Sequence, residues 1–108
     1  MSQATDQFVV EGDFLTHIVT PLRGRPYVHR CALGTLSEVA RRFDEAGAGG
    51  STIEEIVAAS GLPFTQVAVA VGFMKERGVI VPVFKRRHRP ASADAYVDAM
   101  VEFHALLA

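Results

Sequence analysis

The chain has 108 residues, a formal net charge of −1 and 49% hydrophobic residues, values typical of one soluble globular domain. A single cysteine, Cys31, excludes an intramolecular disulfide bond and favours a reducing compartment. The first residues lack the features of a signal peptide, and no apolar run is long enough to span a bilayer. We therefore expect a cytoplasmic protein.

The near-neutral total conceals two basic segments. Residues 23–42 carry five arginines and one acidic residue, and residues 75–89 carry six basic residues and one acidic residue. The segments around them are acidic. Because a polyanion responds to local potential, these segments are compatible with nucleic-acid binding. Two solvated faces of an ordinary soluble protein would give the same pattern.

The N-terminal third contains no clear helical pattern. Residues 1–12 are polar and acidic, and we expect a flexible segment. Phe14–Val19 has apolar residues on both faces and predicts a short strand or a non-helical arm. The prolines and glycine of residues 21–26 predict a turn. Tyr27–Leu33 is either a second strand, paired with the first, or the approach to a helix.

The first predicted helix begins at a capping box formed by Thr35 and Glu38 and continues to about Ala46. Residues 47–50, GAGG, predict a flexible connector. A phosphate-binding loop would need a following Lys-Ser/Thr pair, which this segment lacks.

Two further helices and a strand are predicted after the glycine run. Ser51 and Glu54 form a second capping box, and Gly61 suits the left-handed end of that short helix. Pro63 suits the first turn of the next helix.

The apolar stripe of this next helix, Val67, Val71 and Met74, has helical spacing. Gly78 ends the helix, and the β-branched run Val79–Val83 predicts a strand. Two helices joined by a tight turn are a helix-turn-helix.

The segments T-I-E-E-I-V-A-A-S-G-L and M-K-E-R-G-V-I resemble the winged helix-turn-helix domain of bacterial transcription regulators, such as the MarR-like and ArsR-like families. The resemblance covers about Thr35–Pro90, half of the chain. It implies a mainly α fold with a small β-sheet, in which a winged helix-turn-helix has an extra C-terminal helix. On this interpretation residues 13–90 form the winged-helix domain, and residues 91–108 form the helix.

The resemblance also implies a recognition helix that enters a DNA groove. Its unburied side would carry Thr65, Gln66, Ala68 and Val69. An amide such as Gln66 can read adenine, a threonine can contact a phosphate or base edge, and apolar side chains can contact thymine methyls. However, this helix has no Arg or Lys before Lys75, and guanine recognition usually needs one. An outward Val69 and Phe73 fit a protein interface equally well.

The basic run KRRHRP, Lys85–Pro90, predicts a turn or wing tip that would contact the phosphate backbone. The cations concerned are Lys85, Arg86, Arg87 and Arg89. Ala91–Ala93 offers no returning strand, so the wing is either truncated or completed by Phe14–Val19.

The last predicted helix is capped by Ser92. Its apolar stripe consists of Tyr96, Met100, Phe103 and Leu107. Because such a stripe is too apolar to stay exposed, the helix either docks on its own domain or pairs with a second copy. We expect a homodimer, whose two-fold symmetry would match a palindromic operator.

No metal site, cofactor or enzymatic activity is predicted. Among the histidines and the cysteine, His29-x-Cys31 is the only close pair, and its spacing matches no zinc motif. Cys31 is more typical of a small buried hydrophobic residue, and no catalytic motif is present.

The sequence therefore predicts a transcriptional regulator that binds double-stranded DNA in a sequence-dependent manner. The main alternative is a winged-helix protein-interaction module without base-specific readout, docking a partner through Val69 and Phe73. A third hypothesis is a regulator that senses a ligand or a metal.

Overall fold

The computed structural model describes residues 5–107. Helix accounts for 48% and strand for 29% of this part of the chain, with four α-helices and two antiparallel sheets. The prediction of a mainly α fold is therefore wrong, and the protein is an α+β domain. The sequence pattern indicates only part of the three-stranded sheet and predicts one strand of the two-stranded sheet.

The elements follow one another along the chain, with a single 3₁₀ turn at Gly47–Gly49. They are β1 (Thr5–Glu11), β2 (Phe14–Thr20), β3 (Tyr27–Ala32), α1 (Leu33–Ala46), α2 (Ile53–Ser60), α3 (Phe64–Glu76), β4 (Ile80–Phe84), β5 (Arg87–Pro90) and α4 (Ala95–Ala105).

The first sheet has the order β1-β2-β3. Residues 5–11, within the segment we expected to be flexible, form β1, while residues 1–4 lie outside the described residues. A two-residue turn at Gly12–Asp13 joins β1 to β2, and Gly12 has a φ of 61°, which glycine adopts without strain. β3 pairs with β2, so Tyr27–Ala32 is the second strand of a hairpin rather than the approach to a helix.

Helix α3 lies at the centre of the domain and contacts β3, α1 and α2. The predicted stripe is confirmed, since Val67, Val71 and Met74 are at most 4% exposed. The sheet covers a further side of the helix, where the ring of Phe8 meets that of Phe73 at 5.4 Å between centroids. The core is completed by buried side chains from the sheet and α1, namely Leu15, Cys31, Leu36, Val39 and Phe43.

Both predicted capping boxes are misplaced. Helix α1 begins at Leu33, and Thr35 lies in its first turn without capping it. The box of α2 consists of Thr52 and Glu55, one residue later than predicted. Ser51 is instead held by backbone bonds in both directions with His88, so it belongs to a β-bridge.

The second sheet is the hairpin β4–β5. Its turn contains only Lys85 and Arg86, and Arg87–Pro90 is the returning strand. The expectation of a missing or borrowed strand is wrong, because the basic run itself supplies β5. Phe14–Val19 pairs with β1 and β3 instead.

Helix α4 is anchored on its own domain by a side chain from α1. The Asp44 carboxylate accepts hydrogen bonds from the N–H groups of Ala95 at 2.7 Å and Tyr96 at 2.9 Å. The N-cap residue is Asp94, which accepts from Val97, so the prediction of a Ser92 cap is wrong. Two carboxylates therefore satisfy the free N–H groups at this helix start.

We expect Asp44→Ala to lower the free energy of unfolding by about 1–2 kcal/mol, because it removes the acceptor of two helix N–H groups. Urea denaturation measures the change. Glu45→Ala is the matched control, since Glu45 is an exposed neighbour with the same charge. Equal stability of the two variants would mean that other contacts anchor α4.

Candidate binding surfaces

The structure places the four predicted base-reading residues in different environments. Thr65 is exposed and Ala68 is half-buried, whereas Val69 is only 3% exposed. Phe73, which was expected to face outward with Val69, is fully buried. The sheet β1–β3 occupies this side of α3, so the helix presents a narrower free surface than predicted.

Gln66 is engaged inside the molecule. Its side-chain oxygen accepts a hydrogen bond from the Ala32 N–H at 3.1 Å and another from the Thr35 hydroxyl at 2.9 Å. A carbonyl oxygen has two acceptor positions, and both are used. The amide oxygen needed for a bidentate contact with adenine is therefore committed to the fold.

The four predicted backbone-contacting cations also differ. Arg87 forms a bidentate ion pair with Glu55, with N–O distances of 3.0 and 2.7 Å, and donates to the Gly50 carbonyl. The bond from Arg87 lowers the pKa of Glu55 below its usual range. Arg87 thus attaches β5 to α2. The exposed cations of the hairpin are Lys85, Arg86 and Arg89.

A cavity of about 460 Å³ lies between α2, α3 and the hairpin, and we call it the hairpin cleft. Its apolar lining comprises Ile53, Phe64, Val71 and Pro82, and its polar lining comprises Glu54, Lys75, Lys85, Arg86 and His88. Burial lowers the pKa of His88, and the charge of Lys75 lowers it further. The cleft thus combines an apolar floor with a rim of three cations and one carboxylate.

The outer edge of β3 is a second candidate surface. The Leu33 N–H donates to the Asp13 carbonyl at 2.8 Å, and these residues face each other if the β2–β3 register is extended by one residue. Because hydrogen-bonded pairs alternate along an antiparallel ladder, the backbone groups of Tyr27, His29 and Cys31 point towards β2. Those of the intervening residues, Val28, Arg30 and Ala32, point away from it.

The outward backbone groups differ in their partners. The Ala32 N–H is bonded to Gln66, whereas the N–H groups of Val28 and Arg30 have no protein acceptor among residues 5–107. The side chains of Tyr27 and Val28 are 47% and 44% exposed. The edge of β3 is therefore open up to the point where α3 meets it.

The charge around this edge is positive. Residues 14–37 contain Arg23, Arg25 and Arg30 and no acidic residue. Only Arg30 has a nearby carboxylate among the described residues, Glu11, at 3.7 Å on the same sheet. The opposite edge of the sheet, β1, carries Asp6 and Glu11.

The predicted dimerisation stripe is divided between core and surface. Phe103 is 2% exposed and packs in the core, whereas Leu107 follows the helix and is exposed. Tyr96 and Met100 line an open apolar groove of about 1000 Å³ between α4, the start of α1 and Phe14. The most exposed apolar residues of α4 are Val97 and Val101. Packing of α4 on its own domain therefore buries part of the apolar stripe and leaves the rest exposed.

Comparison of the chain with protein families, curated proteins and solved structures finds no match in any of the three. The resemblance to MarR-like and ArsR-like regulators thus stays a prediction. Among the described helices, none combines the length and apolar character needed to cross a bilayer. Within residues 5–107, no three His, Cys, Asp or Glu side chains gather as a metal site requires.

Sequence reasoning missed the β3 edge and most of the cleft. Tyr27–Ala32 has no regular alternation of buried and exposed residues, and its place at the edge of a sheet depends on pairing with β2. The cleft brings Phe64 and Lys75 of α3 to Arg86 of the hairpin. Only the basic run of the hairpin was visible in the sequence.

Cys31 is fully buried, and burial raises the pKa of its thiol to about 12. Because the thiolate is the reactive form, we expect no reaction of the native protein with a disulfide reagent such as DTNB at neutral pH. Reaction of one thiol should follow on adding urea. Rapid labelling of the native state would show that Cys31 is accessible, and it would favour the hypothesis of a regulator that senses a ligand or a metal.

Proposed function

We propose that this chain is a protein-interaction module that binds an extended segment of a partner protein as an additional strand on β3. One observation carries the proposal: the outward backbone groups of Val28 and Arg30 have no partner among residues 5–107. An exposed edge of this kind is a template for strand addition, in which main-chain bonds supply affinity.

The surroundings of the edge favour an acidic segment. Arg30 pairs with Glu11 at 3.7 Å, whereas Arg23 and Arg25, in the loop before β3, have no ion-pair partner among the described residues and give this end of the edge a positive potential. Such a potential attracts and orients an acidic partner. Tyr27 and Val28, on opposite faces of the strand, provide apolar contact for alternate side chains of the added segment.

The environment of α3 supports this proposal over base-specific DNA readout. The oxygen of Gln66 is bonded to Ala32 and Thr35, and Val69 is buried. Val69 and Phe73 are both buried. They therefore cannot dock a partner, as the interaction hypothesis from the sequence required. The proposed interaction therefore uses the sheet edge and not the apolar face of the helix.

Hydrogen exchange measured by NMR tests the geometry in the free protein. The amides of Val28 and Arg30 should exchange rapidly, whereas those of His29 and Cys31, which point towards β2, should be protected. A partner segment on the edge should then protect Val28 and Arg30. Protection of these two amides in the free protein would show that the edge is already occupied.

Two proline variants test the interaction itself. Val28→Pro removes an outward N–H and should preserve the fold while weakening binding about tenfold or more. His29→Pro removes an N–H that points to β2, so the free energy of unfolding should fall by about 1 kcal/mol or more. Affinity is measured with a peptide selected from a random library on the intact protein, and we expect acidic peptides. Selected peptides that bind Val28→Pro as tightly as the unmodified chain would reject the proposal.

A second candidate function is contact with the backbone of duplex DNA through the hairpin. The observation in its favour is the exposure of Lys75, Lys85, Arg86 and Arg89 on or beside β4–β5. Cations of this kind bind phosphates without reading sequence. A homodimer formed through Val97 and Val101 of α4 would place two hairpins on one duplex.

Light scattering with and without a mixed-sequence duplex tests this second candidate, because molecular mass reports both oligomeric state and complex formation. At about 50 mM salt a complex should form, and it should weaken steeply towards about 200 mM. Replacing Lys85, Arg86 and Arg89 by alanine should flatten that dependence, while replacing Arg23 and Arg25 should not. A monomer that binds no duplex at low salt would remove the candidate.

A further inference from the structure

The hairpin cleft lies on the other side of α3 from the β3 edge. At about 100° per residue, Phe64, Val71 and Lys75 lie roughly opposite Gln66, the residue that meets β3. A ligand in the cleft would therefore leave the edge free. The two surfaces can be tested separately.

The floor of the cleft is apolar and incompletely covered. Phe64 is 56% exposed although it lines a concave surface with Ile53, Val71 and Pro82. A ring or short aliphatic body placed on this floor would bury apolar area, which favours binding. The volume of about 460 Å³ lies in the range of small-molecule sites.

The rim of the cleft selects the charge of the ligand. Lys75, Lys85 and Arg86 face one carboxylate, Glu54, which lies 3.7 Å from Arg86. Arg86 is 86% exposed in its side chain, so its guanidinium can turn towards a bound anion with little loss of packing. An anionic group is therefore favoured over a neutral or cationic one.

The turn between β4 and β5 brings two of the cations to the cleft. Lys85 has a φ of 53°, a left-handed conformation that residues with a side chain rarely adopt. The conformation allows the two-residue turn in which Lys85 and Arg86 both line the cleft. Two-residue hairpin turns require a positive φ at a central residue, so the pairing of β4 with β5 accounts for this conformation.

We propose that the hairpin cleft binds a small amphiphilic anion, whose apolar body contacts Phe64 and Val71 and whose carboxylate or phosphate is held by Lys75 and Arg86. The apolar floor distinguishes this ligand from the backbone of duplex DNA, which offers phosphates but no apolar body. The position of the cleft distinguishes it from the acidic segment proposed for β3.

Titration of the intact protein with phenyl phosphate, followed by NMR, tests the proposal. Saturable shifts should map to Phe64, Lys75, Arg86 and His88. Inorganic phosphate and benzyl alcohol, which each supply half of the ligand, should bind about tenfold more weakly or not at all. Equal binding of inorganic phosphate, or shifts centred on the α4 groove, would overturn the proposal.

Variants of the protein distinguish binding in the cleft from nonspecific attraction of the anion to surface charge. Phe64→Ser and the double variant Lys75→Gln, Arg86→Gln should each weaken phenyl phosphate binding about tenfold, with unchanged melting temperatures because all three residues are exposed. Arg89→Gln removes one positive charge from the same hairpin, at a position outside the cleft, and should leave affinity within about twofold. The same loss in Arg89→Gln would reject the site. Unchanged affinity in Val28→Pro is expected whether or not the β3 proposal holds.

Discussion

The amide oxygen of Gln66 joins three elements of this domain. It accepts from the last outward N–H of β3 and from a hydroxyl in the first turn of α1, while its backbone belongs to α3. Both bonds are partly buried, so loss of the acceptor would leave two donors that water reaches poorly, at a cost of about 1–3 kcal/mol. Together with the packing of Phe8 on Phe73, this side chain fixes the position at which α3 meets the β3 edge.

The helices were predictable because their signals are local. The stripe Val67, Val71 and Met74 and the left-handed Gly61 are both confirmed. The capping errors have a physical reason as well. Both Ser51-x-x-Glu54 and Thr52-x-x-Glu55 fit the box, and the bridge between Ser51 and His88, 37 residues away, decides between them. A non-local backbone pairing thus selected one of two equivalent local patterns.

The sheets and the candidate sites depended on pairings that no local pattern contains. The basic run Arg87–Pro90 has few strand-forming residues, yet it forms β5 because β4, Ser51 and Glu55 provide partners for it. Gln66 was predicted to face a groove because α3 was considered without β1–β3, which covers that side. The face of the helix on which a residue lies was predictable. The element that packs against that face was not.

The unpaired edge of β3 also affects how copies of the chain behave towards one another. The outer strands of one sheet carry opposite charges, with Asp6 and Glu11 on β1 and Arg30 on β3. Strand-to-strand joining of β1 to β3 would be head-to-tail, so it would close on no symmetric dimer and would grow into ribbons. A segment bound along β3 would prevent such joining, because it would occupy the backbone groups that the joining requires.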